Sequence, residues 1–250
     1  MARVLSVIAL SCFIASTAAA LLRAQDAPAV PARTVWSGVY TAEQAQRGNQ
    51  QFGTHCASCH GADLTGGEGP ALIGESFMNS WRESTVDALL EFVRRNMPHS
   101  EDGTAEGKLP LNIYQDLVGH ILSSNNFPAG QTELTVASSQ NVAIQRREGP
   151  GDLPNSTLAR VVGCLERVGT SGWKVTKATR PQRIIRAAGS TAAADRAVAL
   201  GDREVELKFV LTPLTRYIGH RVVATGALIG EGGTGGINVD SVTSLAATCQ

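Results

Sequence analysis

Cys56-Ala57-Ser58-Cys59-His60 sets two thiols one helical turn apart, with an imidazole directly after the second. Three kinds of chemistry use residues of these types at this spacing. A thioredoxin-like pair exchanges disulfides, but such a pair opens a helix after a strand, and no strand pattern precedes Cys56. A structural zinc ion takes about four ligands, and no second cysteine pair accompanies this one in its half of the chain. The third chemistry is covalent attachment of a c-type haem, for which Cys-x-x-Cys-His is the recognised signature. Each thiol adds to one vinyl group, and His60 then lies under the iron as an axial ligand. A second axial ligand would come from Met78, Met97, His55, His99 or His120.

The elements around the motif read as helices. Thr41-Ala42-Glu43-Gln44 has the form of a capping box, in which the Thr41 hydroxyl caps the first turn and Gln44 reaches back. The helix it opens runs towards Phe52, with Gly48, Phe52 and Cys56 four apart on one face. A helical glycine costs about 1 kcal/mol relative to alanine, so Gly48 predicts a close backbone approach. Residues 84–96 carry Val86, Leu89, Leu90 and Val93 at helical spacing, and residues 113–123 carry Leu117, Val118 and Ile121. The first module is expected to be all-helical.

From Leu158 the period changes. Residues 158–168, 173–179, 204–211, 220–228 and 237–246 read as short strands separated by turns. About five strands in such a length suggest a small barrel. Between the modules, residues 131–154 lack aromatics and end in Gly and Pro, and read as a linker. The glycine runs 66–69 and 230–236 follow no strand-then-helix pattern and read as flexible loops, not nucleotide cradles.

The chain of 250 residues, 43% hydrophobic and 18% charged, has the composition of a globular protein. Its net charge of zero hides an asymmetry. Residues 41–130 hold eleven acidic and five basic side chains, whereas residues 155–250 hold seven and twelve. Two modules with different surfaces follow. Residues 1–25 have the charged start, apolar middle and small-residue end of a cleaved signal peptide, with an uncleaved anchor as the alternative. Residues 26–40 form an N-terminal segment ahead of the helical module. Once the signal and its Cys12 are set aside, Cys164 and Cys249 remain outside the motif, and export makes them most simply a disulfide.

Residues 41–130 resemble the class I cytochrome c domain. The resemblance rests on Gly48-x-x-x-Phe52-x-x-x-Cys56, Cys56-x-x-Cys59-His60-Gly61, Gly69-Pro70-Ala71-Leu72, Phe77, Trp81, Asn96-Met97-Pro98 and Asn126-Phe127-Pro128. It implies one haem c held by Cys56 and Cys59, with His60 and Met97 as axial ligands. Met78, in the segment that packs beside the haem in such domains, is read as a core side chain because methionine usually fills gaps in cores. The resemblance also implies that the Pro70 carbonyl orients His60, that Trp81 lies near a haem propionate, and that Gly48 and Phe52 pack against Tyr114 and Leu117. The loop after Met97 is longer than in similar domains, and His99 in it is expected to be exposed. Residues 155–250 resemble small exported OB-like barrels, which a Cys164–Cys249 disulfide would staple.

These readings predict a two-domain chain, an all-α cytochrome c domain followed by a small all-β barrel. They predict an exported, periplasmic electron carrier rather than an enzyme, with redox partner proteins and no small-molecule substrate at the iron. Membrane association is expected only if the signal stays uncleaved. Nucleic acid is not an expected partner, because the barrel half has only Trp173, Phe209 and Tyr217 as stacking aromatics. Two other roles remain open at this point. One is an electron-accepting subunit of a periplasmic quinoprotein or flavoprotein dehydrogenase, and the other is a binding protein whose barrel docks a ligand or envelope partner.

Overall fold

The structure, a computed structural model, describes residues 33–100, 105–184 and 192–249. The expected signal peptide lies outside the described residues. The described residues belong to one compact unit built on two apolar cores, one helical and one of strands.

The helical part contains α1 (Ala42–His55), α2 (Ala57–His60), α3 (Gly74–Trp81), α4 (Val86–Asn96) and α5 (Leu111–Ser124). The Thr41 hydroxyl caps α1 by accepting from the Gln44 amide at 3.2 Å. Gln44 does not reach back as the capping-box reading expects. Its side-chain amide pairs with the buried Leu134 backbone, donating to Leu134 O at 3.0 Å and accepting from Leu134 N at 2.7 Å. A buried peptide group without partners costs more than a second cap bond returns.

Helices α1 and α5 cross where Gly48 meets α5: a Cβ on Gly48 would lie 1.9 Å from the Asp116 carbonyl oxygen. Phe52, Tyr114 and Leu117 are each 1% exposed in the same core. Arg47 of α1 closes a two-bond fork on the Asp116 carboxylate, both bonds 2.9 Å. The His120 ring packs at a tilt against Phe52, with centroids 5.3 Å apart.

Two expectations change in this part. The helical module is not wholly helical, because β1 (Ser84–Thr85) pairs antiparallel with β2 (Ala143–Ile144). The stretch 131–154 is not an exposed linker. It forms the short helix α6 (Val136–Ser139), and its Leu134, Val142 and Ile144 are fully buried in the helical core, while Leu153 enters the other core. Those few aliphatic side chains, together with Gln44, supply partners that a lack of aromatics concealed.

The sheet part contains β3 (Leu158–Val168), β4 (Gly172–Ala178), β5 (Gln182–Arg183), α7 (Ala192–Ala197), β6 (Arg203–Lys208), β7 (Arg221–Ile229) and β8 (Gly236–Ala246). Antiparallel pairing joins β4 to β3, β3 to β7, β7 to β8 and β4 to β6. A parallel pairing of β6 with β8 at Leu207–Ile237 closes the ring. β5 adds to the outside edge of β3 through Ala159–Arg183 and Arg160–Gln182. Along β6, Val205 and Leu207 point into the core and their neighbours face out, the alternation expected of a half-buried strand. Cys164 on β3 and Cys249 beyond β8 are joined in a disulfide, with Cα atoms 5.4 Å apart.

Two outcomes follow. Gly48→Ala forces α1 and α5 apart, and denaturant unfolding should show a loss of roughly 1–3 kcal/mol, as for other overpacked contacts. Reducing the Cys164–Cys249 bond opens a loop of 85 residues. Chain entropy puts the associated loss at roughly 4–5 kcal/mol, to be read as a fall in Tm with reductant that a double Cys→Ser variant reproduces without it.

Candidate functional site

The thiols and the imidazole leave α1 together. Cys56 ends α1, its amide donating to Phe52 O, and the same residue begins α2, which carries Cys59 and His60. Cys56 and Cys59 are half-buried free thiols. Burial pushes the Cys56 thiol up to about 11, with the neighbouring Cys59 adding to the rise. Disulfide exchange needs an attacking thiol with lowered pKa, which Cys56 is not.

His60 is buried and its ring has one orientation. Nδ1 lies 2.7 Å from the Pro70 carbonyl oxygen, which makes Nδ1 the protonated nitrogen and leaves Nε2 with its lone pair for a metal. The loop that delivers Pro70 is tied to α2 by Gly66 N donating to His60 O at 2.9 Å and Gly69 N to Cys59 O at 2.8 Å. A Cβ on Gly69 would stand 2.8 Å from His60 Cε1 and 2.9 Å from Nδ1. The 66–69 run, expected as a flexible loop, is therefore the lid of the imidazole, and its glycine allows the backbone to lie against the ring.

Met97 follows α4, with its amide donating to Val93 O at 2.9 Å. Its carbonyl accepts from the buried Tyr114 hydroxyl at 2.9 Å, and the same hydroxyl receives Leu109 N at 3.3 Å. Tyr114 thus fixes the Met97 loop from α5. Trp81, at the end of α3, packs edge-on against Phe92 with centroids 5.4 Å apart. Met78 is a core residue, 9% exposed. Of the other histidines considered as ligands, His99 is exposed and pairs with Glu106 at 2.9 Å, and His120 sits against Phe52.

The residues fit a covalent haem c. Cys56, Ala57, Leu72, Ile73, Trp81 and Met97 are all half-buried apolar groups packed against the helical core, the kind of surface that can cover a flat ring. Cys56 and Cys59 are free thiols, and His60 directly after them keeps Nε2 available. Haem c supplies a one-electron Fe(III)/Fe(II) couple when bound.

Sequence reasoning missed two positioning side chains. Asn125 accepts from Gly74 N through Oδ1 and donates to Leu72 O through Nδ2, each at 2.9 Å, and so ties α3 to the end of α5. Arg183, from the sheet part, bonds the other end of α3. Asn125 stands beside the quoted Asn126-Phe127-Pro128 and was legible as a turn residue only. Arg183 carried no signal.

The model of the family described as cytochrome c oxidase, cbb3-type, subunit III matches residues 43–108. That span holds α1 to α4, both thiols, His60, Pro70, Trp81 and Met97. The match supports a c-type cytochrome domain over that span, a family whose members bind haem c covalently. No curated protein and no solved structure matches the chain.

Gly69→Ala is expected to push the His60 ring off the Pro70 carbonyl. The check is nitrogen-edited NMR of the imidazole, in which the protected Nδ1–H signal should disappear.

Proposed function

We propose that this chain is an exported mono-haem c-type cytochrome that carries single electrons between redox partner proteins. Cys56 and Cys59 form the thioether links, and His60 and Met97 are the axial ligands. The observation that carries this reading is the buried His60 ring, held by Pro70 directly after two half-buried thiols. His60 presents Nε2, Tyr114 holds the Met97 loop, and Trp81 packs against the same core as Met97. Haem c held by both His60 and Met97 would leave no coordination position for a substrate, and Met/His ligation would raise the potential relative to His/His.

Residues 1–25 act in this reading as a cleaved export signal, with 41–130 and 155–250 as the two modules. The disulfide supports an oxidising, periplasmic setting. The closed five-strand ring supports an OB-like barrel. Its aromatics are partly occupied from within, Trp173 by Arg167 at 5.2 Å and Tyr217 by Arg216 at 4.6 Å, which argues against use as nucleic-acid stacking platforms.

A second reading, an electron-transfer subunit of a larger oxidoreductase, is favoured by the oxidase subunit named in the family description. No helix among the described residues is long and apolar enough to cross a membrane. Crosslinking followed by identification of the neighbour separates a freely shuttling carrier from a resident subunit.

The pyridine haemochrome spectrum of the denatured protein should show one covalent haem c per chain; a haem-free, zinc-loaded protein would sink the proposal. Met97→Ala should keep the attached haem and lose the weak near-infrared sulfur-to-iron band. Survival of that band assigns the second ligand elsewhere.

A further inference from the structure

Helix α3 brings Phe77, Met78 and Trp81 to the helical core, and its last turn is held by the sheet part. The carbonyls ending a helix have no partner within it. Here Arg183 of β5 supplies one: Nε donates to Arg82 O at 3.0 Å and Nη2 to Asn79 O at 2.8 Å. A guanidinium is a planar fork suited to two acceptors, and a cation at a helix C-terminus meets the negative end of its dipole. The Arg183 backbone is itself fixed, paired with Ala159, with the next amide donating to Leu158 O at 2.9 Å.

The contact is returned from the other side. Arg82, whose side chain is 9% exposed, reaches Glu231 of the sheet part at 3.0 Å. Glu83 accepts from Gly151 N at 2.9 Å. Two guanidinium groups therefore lie together at the end of α3. Burial lowers the Arg183 pKa, the charge of Arg82 lowers it further, and Glu83 offsets part of this. The Nε of Arg82 is buried without a partner. Two cations crowded in this way need a compensating return, and the ordering of α3 is what the geometry offers.

We infer that Arg183 is a positioning residue through which the barrel holds α3, and with it Trp81 and Met78, in the geometry of the haem site. The barrel is then part of the redox centre rather than an appendage. The electrochemical half of this inference rests on the haem reading; the structural half does not.

The test uses the full-length protein with Arg183→Met and Arg183→Lys. Amide hydrogen exchange in residues 79–83 should speed up by roughly tenfold in Arg183→Met, as for local opening, while α1 and α5 keep their protection. In the haem-loaded protein, loss of a cation and of the fixed helix end favours the ferric state, so the reduced fraction at fixed ambient potential should fall several-fold. Arg183→Lys, with one ammonium in place of the fork, should lie between wild type and Met on both readouts, and it carries the test alone if the Met variant does not fold. Unchanged exchange at 79–83 overturns the clamp. Faster exchange with an unchanged reduced fraction overturns the coupling to the site. Should the haemochrome spectrum show no covalent haem, the haem reading fails, and the exchange arm still decides the clamp.

Discussion

The close crossing of α1 and α5 at Gly48 is the constraint on which the site depends. Helix α1 runs directly into Cys56, and α2 continues to His60, so the axis of α1 sets where thiols and imidazole emerge. Helix α5 carries Tyr114, whose hydroxyl holds the Met97 carbonyl. The two segments proposed as ligands are thus referenced to one backbone contact, in which glycine stands against the Asp116 carbonyl. Any side chain there would change the separation of the two halves of the site. The Arg47–Asp116 fork beside it resists sliding of one helix along the other. The Asp116 side chain is itself nearly buried, and that fork is its pairing with a cation.

Around this crossing, the remaining geometry is set less by apolar packing than by single polar side chains serving buried backbone. Gln44 completes the peptide group of Leu134, Asn125 bridges α3 to α5, and Pro70 offers its carbonyl to His60. Apolar contacts are non-directional and tolerate rotation of one element on another. Hydrogen bonds to fixed backbone atoms do not, which suits a site whose imidazole must face one way.

Helices α4 and α5 were legible from helical spacing, and α1 from its cap and the four-residue spacing of Gly48, Phe52 and Cys56. The five long strands were legible from short apolar stretches bounded by turns. The thiols, His60 and the disulfide partners were legible because cysteine and its spacing carry chemistry in themselves. What escaped is physically consistent. Helix α3 is eight residues long and opens with glycine, too short for its period to register. The stretch 131–154 buries its few aliphatics one at a time, each beside a partner distant in sequence. Gln44 fitted a local cap so well that its bond to Leu134, ninety residues away, left no trace.

The charge asymmetry between the halves takes on a different meaning in the structure. An excess of basic residues in 155–250 suggests a surface waiting for an anionic partner. Several of these arginines instead donate to backbone carbonyls: Arg183 to Asn79 and Arg82, Arg196 to Leu245 at 2.8 Å, and Arg221 to Asp195 at 3.3 Å. A carbonyl carries no net charge, so such an arginine adds to the count of cations while one or two of its donors are already engaged. Arginine suits this use because its fork satisfies two acceptors and it stays charged when partly buried. Net charge by segment therefore overstates the free positive surface of the barrel, and part of the excess serves as internal bracing.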